Sequence, residues 1–286
     1  MLINRGGGSV GDARAIERAL DAAGIDGDAR LLDGHELQDA AKKAVAAGSG
    51  LVVAGGGDGT VGSVAGAAAG SETKVGILPL GTLNHFARDL GIPLDLGAAA
   101  KLIATGKMRQ VDVAEVNGRI FINNSAIGVY PLMVSDRDSQ QEQLGRTKRL
   151  AMAVAAARTL VRYSSRRLTL TVNDRKAQVD TPLLFVGNNR YRLEFPGTGT
   201  RERMDAGELS VIVLRRKSRW GFFATLVRSL VGIERPTDIV QLEDVATLRV
   251  ASPRSSLTIS LDGETARMEV PLTYRIRPKA LKVIAP

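Results

Sequence analysis

The sequence predicts an α/β domain followed by a β-rich one. Three observations carry this. Over about the first 105 residues, short apolar runs alternate strictly with helical patterns, which implies a parallel sheet covered on both faces. Beyond that point the pattern becomes one of strands, opening with a hairpin signal at Asn117-Gly118. Two of the early strands also run into loops of small, backbone-exposing residues, and ligands of parallel sheets sit at such strand ends.

The first domain opens on the short strand Leu2-Ile3, which leads to Asn4. A helix follows over residues 13–23, a strand at 30–32, and an Ala- and Lys-rich helix over 36–47. Residues 51–54 (LVVA) make the third strand and residues 60–69 a helix of small residues. Residues 75–78 (VGIL) make the fourth strand, and residues 96–105 another helix. The second domain begins with strands over 111–116 and 119–127. Later strands are expected at 168–172, 183–187, 209–214, 246–250, 257–261 and 272–276, antiparallel, as a sandwich or barrel-like domain. Helical insertions are expected near residues 145–163 and 219–231. The last apolar run, 280–284, is read as returning to the first domain. The domains are therefore placed at residues 1–108 with 277–286, and at residues 109–276.

Composition bounds the classes. The chain has 286 residues, 44% apolar and 24% charged, enough for two domains of ordinary size. It has no cysteine, so neither disulfides nor cysteine-ligated metal enter, and a reducing cytosol fits. The first residues lack the basic and apolar series of a signal peptide. No window approaches the roughly 18 consecutive apolar residues of a spanning helix. Charge is uneven: residues 1–136 carry 12 Lys/Arg and 15 Asp/Glu, whereas residues 137–286 carry 27 and 15. A basic second half suits an anionic partner such as phospholipid head groups, nucleic acid or a polyphosphate. With only 4% aromatic residues, a nucleic-acid reading based on base stacking is weak.

The chemistry lies in the loops. Residues 55–60 read GGGDGT directly after the third strand. Glycines let backbone N–H groups approach phosphate oxygens, and the following helix adds partial positive charge. Thr60 offers a hydroxyl. Asp58 is the odd member, because a carboxylate beside phosphate repels it. It makes sense as a ligand of metal-ordered water, a partner of a ribose hydroxyl, or an acceptor of backbone N–H bonds that holds the loop. A plain βα turn needs only one glycine. The Gly-Lys-Ser/Thr ending of a Walker loop is missing. The fourth strand opens into PLGTLN, residues 79–84, where Thr82 or Asn84 either caps the next helix or faces the same ligand. Residues 6–9 resemble a third phosphate-facing loop, beside Asn4, or a flexible connector.

Asp262-Gly263-Glu264 follows a strand. Its plain reading is a hairpin turn. Its functional reading makes Glu264 a general base for an attacking hydroxyl, suited to that role once partial burial raises its pKa. The two histidines, His35 and His85, form no metal-ligand cluster, and His85 lies beside Asn84. Residues 144–167 place Leu150, Val154, Ala157 and Val161 at helical spacing with Arg158, Arg162 and Arg166 on another face. Trp220, Phe222 and Phe223 sit among Arg215, Arg216, Lys217 and Arg219. Both stretches fit either core packing or docking on a membrane surface.

Together the motifs resemble the diacylglycerol kinase catalytic-domain family, which includes bacterial soluble lipid kinases and, more distantly, sphingosine and ceramide kinases. The pieces that carry the resemblance are residues 54–60, LPLGTLNHFARDLGIP at 78–93, FINNSAIGVY at 121–130, LDGE at 261–264 and the closing residues 277–286. Gly-Asp-Gly-Thr alone also occurs in NAD kinases and phosphofructokinases. The resemblance implies a Rossmann-like, phosphofructokinase-like α/β domain, a second β-sandwich-like domain, and a nucleotide site in the cleft between them. It implies ATP and Mg²⁺ as cofactors and transfer of the γ-phosphoryl group to a lipid hydroxyl, with diacylglycerol the first expectation. Carried over by position, Gly56, Gly57, Asp58, Gly59, Thr60, Thr82, Asn84 and Asn4 make the nucleotide-binding set. Glu264 is the proton acceptor, supported by Asp58.

Three departures stand out. The family often has Asn-Asp where this chain has Asn84-His85, so a metal-water contact is lost or altered. Its second-domain metal loop has Asp before Gly-x-Leu where this chain has Ala206, leaving Asp205 one position early as the candidate metal ligand. Arg5 stands where Pro is common. The implied partners are a lipid substrate and an anionic membrane surface, with no specific nucleic acid, and a homodimer fits. The implied location is cytoplasmic and peripheral at the membrane. The alternatives are a kinase of a sphingoid base or an NAD-like acceptor, and a catalytically weakened lipid- or nucleotide-binding protein.

Overall fold

The computed structural model describes residues 1–5, 13–26, 29–128, 165–192, 199–215 and 239–286. They divide into two units. The first comprises Met1–Asn123, Arg201–Gly207 and Ile276–Pro286, and the second Asn124–Thr200 and Glu208–Arg275. The first unit contains, in chain order, β1 (Leu2–Asn4), α1 (Ala13–Ala22), β2 (Arg30–Leu32), α2 (Gly34–Ala46), β3 (Leu51–Gly56), α3 (Asp58–Ala68), β4 (Lys74–Pro79), α4 (His85–Asp89), α5 (Leu96–Thr105), β5 (Lys107–Val116) and β6 (Arg119–Phe121). Then follow β7 (Asn124–Gly128), β8 (Arg166–Val172), β9 (Arg175–Thr181), β10 (Leu183–Asn188), β11 (Tyr191–Arg192), β12 (Thr200–Arg201), β13 (Leu209–Leu214), β14 (Ile239–Val245), β15 (Thr247–Ala251), β16 (Ser256–Leu261) and β17 (Glu264–Glu269). The last strand, β18 (Leu272–Ala285), begins in the second unit and ends in the first.

The first unit is the expected α/β layer structure. Its strands run in the order β2-β1-β3-β4-β18, and each neighbouring pair is parallel. After their first residues β3 and β4 are buried throughout, the pattern of strands covered on both faces. Helix α2 packs against α3, and α1 against α5. Sequence-local signals place the helix starts. Asp33 and Glu36 form a capping box on α2, and the Asp95 side chain accepts the Ala98 N–H at 2.8 Å on α5. Asn117 and Gly118 both take left-handed backbone (φ 48° and 81°), the two-residue turn that joins β5 to β6.

The core of this unit also takes in Val111, Val113, Ile122, Met204, Leu281 and Val283. Asp112, fully buried, fastens the late segments to it. Its carboxylate accepts the Gly207 and Lys279 N–H groups, each at 2.7 Å, while its own N–H donates to the Met204 carbonyl at 2.8 Å.

The second unit is β-sandwich-like. One sheet is antiparallel in the order β14-β13-β10-β7-β16-β17. The other runs β18-β15-β8-β9, also antiparallel. The Tyr274 and Ser125 hydroxyls meet at 3.0 Å between them, in the buried interior. Where one strand was expected over residues 119–127, the chain makes β6 and β7 with a break at Ile122-Asn123. The expected strand at 272–276 and the run at 280–284 are one strand, β18. The polar strands β9, β14 and β17 and the short helix α4 were not anticipated.

Candidate active site

The first unit builds its site where β3 and β4 end. Gly57 is the N-cap of α3, with extended backbone (φ −87°, ψ −171°). A glycine has no side chain to cap with, so the amides of the first turn, Asp58 to Thr60, have no intrahelical acceptor and point out of the helix N-terminus. Aligned peptide dipoles add about half a positive charge there. Such a helix start favours negative charge.

The second loop closes against the first at glycine-to-glycine distance. A Cβ on Gly81 would lie 2.4 Å from the Gly57 Cα and 2.9 Å from the Asn84 Oδ1, and one on Gly56 would lie 2.3 Å from the Thr60 Oγ1. Only glycine fits these approaches. The Leu80 N–H donates to the Gly56 carbonyl at 3.0 Å, which ties the loops together further.

Asn84 shapes the second loop from within. It is buried, with left-handed backbone (φ 50°). Its Oδ1 accepts the Gly81 N–H at 3.1 Å, and its Nδ2 donates to the carbonyls of Pro79 and Gly81 at 3.2 and 2.6 Å. With the side chain turned back, Asn84 does not cap α4 although it holds the N-cap position. Asp58 does so instead. Its Oδ2 accepts the His85 N–H and its Oδ1 the Phe86 N–H, both at 3.0 Å. The Asn123 Nδ2 donates to the same Oδ1 at 3.1 Å. Of the three roles open to Asp58 from sequence, the structure displays backbone acceptance, and the chain accepted is the neighbouring loop rather than its own.

Thr60 is buried, and its Oγ1 accepts the Asn4 Nδ2–H at 3.0 Å, joining the end of β1 to the start of α3. Gly59 is half-buried, and Thr82 is exposed on its turn. Thus Asn4, Gly56, Gly57, Asp58, Gly59, Thr60, Thr82 and Asn84 come together at one end of the sheet. His85 contributes its amide to Asp58.

Behind the loops lies a buried ionic network that sequence reasoning missed. The Arg201 side chain is 0% exposed and Asp89 9%, with the Arg201 Nε donating to the Asp89 Oδ2 at 2.7 Å. Arg201 also donates to the Ile122 carbonyl at 2.6 Å and to the Asn123 Oδ1 at 2.7 Å, and its guanidinium lies 5.8 Å from the Phe86 ring centroid. Asn123 therefore links Arg201 on one side to Asp58 on the other. In the sequence Arg201 is one charge among RERMD, and no spacing marks it. Asn123 at least falls within the FINNSAIG segment.

Two candidates remain. Asp205 is partly exposed and accepts from the Arg203 Nε at 3.1 Å. Among the described residues no three of His, Cys, Asp and Glu gather as a ligand group. Glu264 belongs to the second unit. Asp262 and Gly263 take left-handed backbone (φ 47° and 88°), and Leu261 pairs with Glu264 across them, so the plain hairpin reading is correct. Asp262 anchors this turn, its carboxylate accepting the Asn124 N–H at 3.1 Å and its own N–H donating to the Asn124 carbonyl at 2.9 Å. The partial burial expected of Glu264 is not found. It is exposed, because β17 is an edge strand and Glu264 its first residue. The loop at residues 6–9, the helical stretch near 145–163 and the aromatic cluster at Trp220 lie outside the described residues.

Residues 1–116 match the diacylglycerol kinase catalytic domain, and residues 134–285 match the YegS C-terminal NAD kinase beta sandwich-like domain. A probable lipid kinase YegS-like protein of Pseudomonas aeruginosa is 32% identical over 276 residues, covering 94% of this chain and 85% of that protein. A protein named diacylglycerol kinase from Staphylococcus aureus is 25% identical over 240 residues, covering 82% of this chain and 74% of its own length. The crystal structure of a putative diacylglycerol kinase from Bacillus anthracis shares the fold, with a TM-score of 0.75 at 24% identity over 100% of this chain and 96% of that one. With both halves matched and a relative of this identity along nearly its whole length, the chain belongs to the lipid kinase family that joins a diacylglycerol kinase catalytic domain to a YegS-type C-terminal domain.

Proposed function

We propose that the protein is an ATP- and Mg²⁺-dependent lipid kinase that transfers the γ-phosphoryl group to a lipid hydroxyl, with diacylglycerol as acceptor and a lipid phosphate and ADP as products. The observation that carries this is the N-terminus of α3, whose amides open toward the glycine approach of Gly57 and Gly81. A triphosphate fits that cradle, because side chains there would fill it. The Gly57 to Thr60 amides would bind phosphate oxygens, and the exposed Thr82 hydroxyl would add a donor. Mg²⁺ in kinase sites is held largely by phosphates and water, and supplies charge neutralisation on the transferred group. Glu264 would accept the proton of the lipid hydroxyl as its oxygen bonds to the γ-phosphorus and the bond to the β,γ-bridging oxygen breaks. An open cavity of about 1110 Å³ in the second unit has Leu170, Val179, Val213 and Leu242 in its wall beside Arg175, Asp180, Arg215 and Glu243, so an acceptor seated there would meet both apolar and charged groups.

The same reading puts the protein on the cytoplasmic face of an anionic membrane as a peripheral enzyme. Among the described residues no helix is long and apolar enough to cross a bilayer.

The test is transfer of label from γ-labelled ATP into a total lipid extract, with NAD as a parallel acceptor. Label in a lipid phosphate is expected, lost without Mg²⁺. Glu264→Gln should lower turnover at least ~100-fold, the scale of a lost general base. Label in NAD with none in lipid would overturn the acceptor. Full turnover in Glu264→Gln would remove that residue from the chemistry.

A further inference from the structure

The sheet β18-β15-β8-β9 has one face buried and one face turned to solvent. Leu168, Leu170, Leu248, Val250, Leu272 and Tyr274 fill the buried face. Residues paired directly across antiparallel strands project to the same side. Arg249 pairs with Thr273 on one flank and Thr171 on the other, and Thr171 pairs with Lys176. Thr247 pairs with Arg275, and Arg167 with Asp180. Arg167, Lys176, Arg249 and Arg275 therefore share the outward face, and all four are exposed. Asp180 lies on this face as well, 3.5 Å from Arg167.

We infer that this face is a docking surface for the anionic head groups of a phospholipid bilayer. Arg249 and Arg275 are diagonal neighbours, a placement roughly 7–8 Å apart that puts like charges together. A negatively charged partner would offset that repulsion. Threonine hydroxyls flank Arg249 on both sides, so a phosphate meets a guanidinium and two hydroxyl donors in one row. The register runs without a bulge across these strands. The face is therefore a regular surface, complementary to a plane of charge. Among the described residues, the outward positions of these strands carry no aromatic residue for base stacking. The inference rests on the lipid-kinase reading for its choice of bilayer, but its test needs neither ATP nor turnover.

The experiment is co-sedimentation of the full chain with vesicles of phosphatidylcholine alone and with 30% phosphatidylglycerol added. The wild type should partition to the anionic vesicles and release them as salt is raised. Each cation near such a surface contributes about fivefold in partition. The triple variant Lys176→Gln, Arg249→Gln, Arg275→Gln should therefore lose on the order of 100-fold, with its thermal midpoint unchanged. A control variant, Arg14→Gln, Lys42→Gln, Lys101→Gln, removes the same charge from the first unit and should bind as the wild type does. Equal binding by the docking-face triple, or equal losses in both triples, would overturn the inference. So would tighter wild-type binding to a short DNA duplex than to the anionic vesicles. Vesicle binding that depends on this face, in a protein that phosphorylates no lipid, would sustain the docking surface while refuting the kinase assignment.

Discussion

The strongest structural prediction concerns Arg201, which no sequence motif singled out. Replacement by alanine leaves the Asp89 carboxylate, the Ile122 carbonyl and the Asn123 Oδ1 without the donors they now have at 2.7, 2.6 and 2.7 Å. The site is dry, with Arg201 0% and Asp89 9% exposed. Removing one partner of a buried pair costs about 3–5 kcal/mol, because the other charge stays behind. At about 2–4 °C per kcal/mol for a unit of this size, the first unit's thermal midpoint should fall by about 10 °C. Arg201→Lys keeps a charge for Asp89 but gives up the planar fork that reaches three acceptors, and should fall between alanine and wild type. Arg201→Met combined with Asp89→Leu should recover part of the loss, since the stranded charge is gone while Ile122 and Asn123 still lack the Arg201 donors. Asn123 also holds Asp58. The Arg201 variants should therefore raise KM for ATP by more than they lower kcat, a split that general loosening would not give. A midpoint within 2 °C of wild type for Arg201→Ala, with KM for ATP unchanged, would refute the reasoning.

Two further perturbations probe other parts. Gly81→Ala must push a methyl to within 2.4 Å of the Gly57 Cα, so the loops must part, and KM for ATP should rise at least ~10-fold. An unchanged KM would mean that the glycine contact is not part of the nucleotide cradle. Burial pushes the Tyr274 phenol well above its ordinary 10.0, with the Ser125 hydrogen bond opposing. Below pH 10 both folded and unfolded chains keep the proton. Above it the unfolded chain ionises first, so folding stability falls as pH rises, by up to about 1.4 kcal/mol per pH unit until the folded group itself titrates. Between pH 8 and 11 the wild type should lose about 1.4 kcal/mol more than Tyr274→Phe in urea unfolding. Equal losses would show that this phenol is not held neutral by the fold.

What was legible in the sequence follows from where the signal lies. Strands β3 and β4 are unbroken apolar runs because both faces are covered, and α5 was bounded correctly at Leu96 and Thr105 because small apolar residues repeat between an Asp cap and Gly106. Strands β9 (RKAQVDT) and β17 (ETARME) are largely exposed edge strands, so they carry little apolar pattern. Helix α4 spans five residues, too few for a period. The break between β6 and β7 falls where the Ile122 carbonyl and the Asn123 amide are bound by Arg201, 79 and 78 residues away. Lys279, with left-handed backbone (φ 52°) and its N–H on Asp112, lies between the two runs that were read as separate strands, yet β18 continues through it. The glycine loops were visible because their function is met by backbone. The network behind them was not, because its partners pair side chains across 65 to 112 residues.

Asp58 brings these two kinds of information together. The motif announces it, but only the fold says what it touches. Its carboxylate receives three N–H donors, two from the first turn of α4 and one from Asn123. The charge that looked hostile to phosphate is thus directed at the second loop, and the α3 amides remain as the anion-facing groups. This separates two functions that one alanine substitution confounds. Asp58→Asn keeps shape and removes charge, and whichever way its amide turns, an NH₂ must face at least one N–H donor. If the carboxylate acts as a clamp, Asn and Ala should cost similar stability, about 3 kcal/mol from charge-assisted bonds. Both should raise KM for ATP. Urea unfolding and ATP titration of the two variants decide the matter. Wild-type stability in Asp58→Asn together with lost turnover would show that the charge acts on nucleotide or metal, and the clamp would then be incidental.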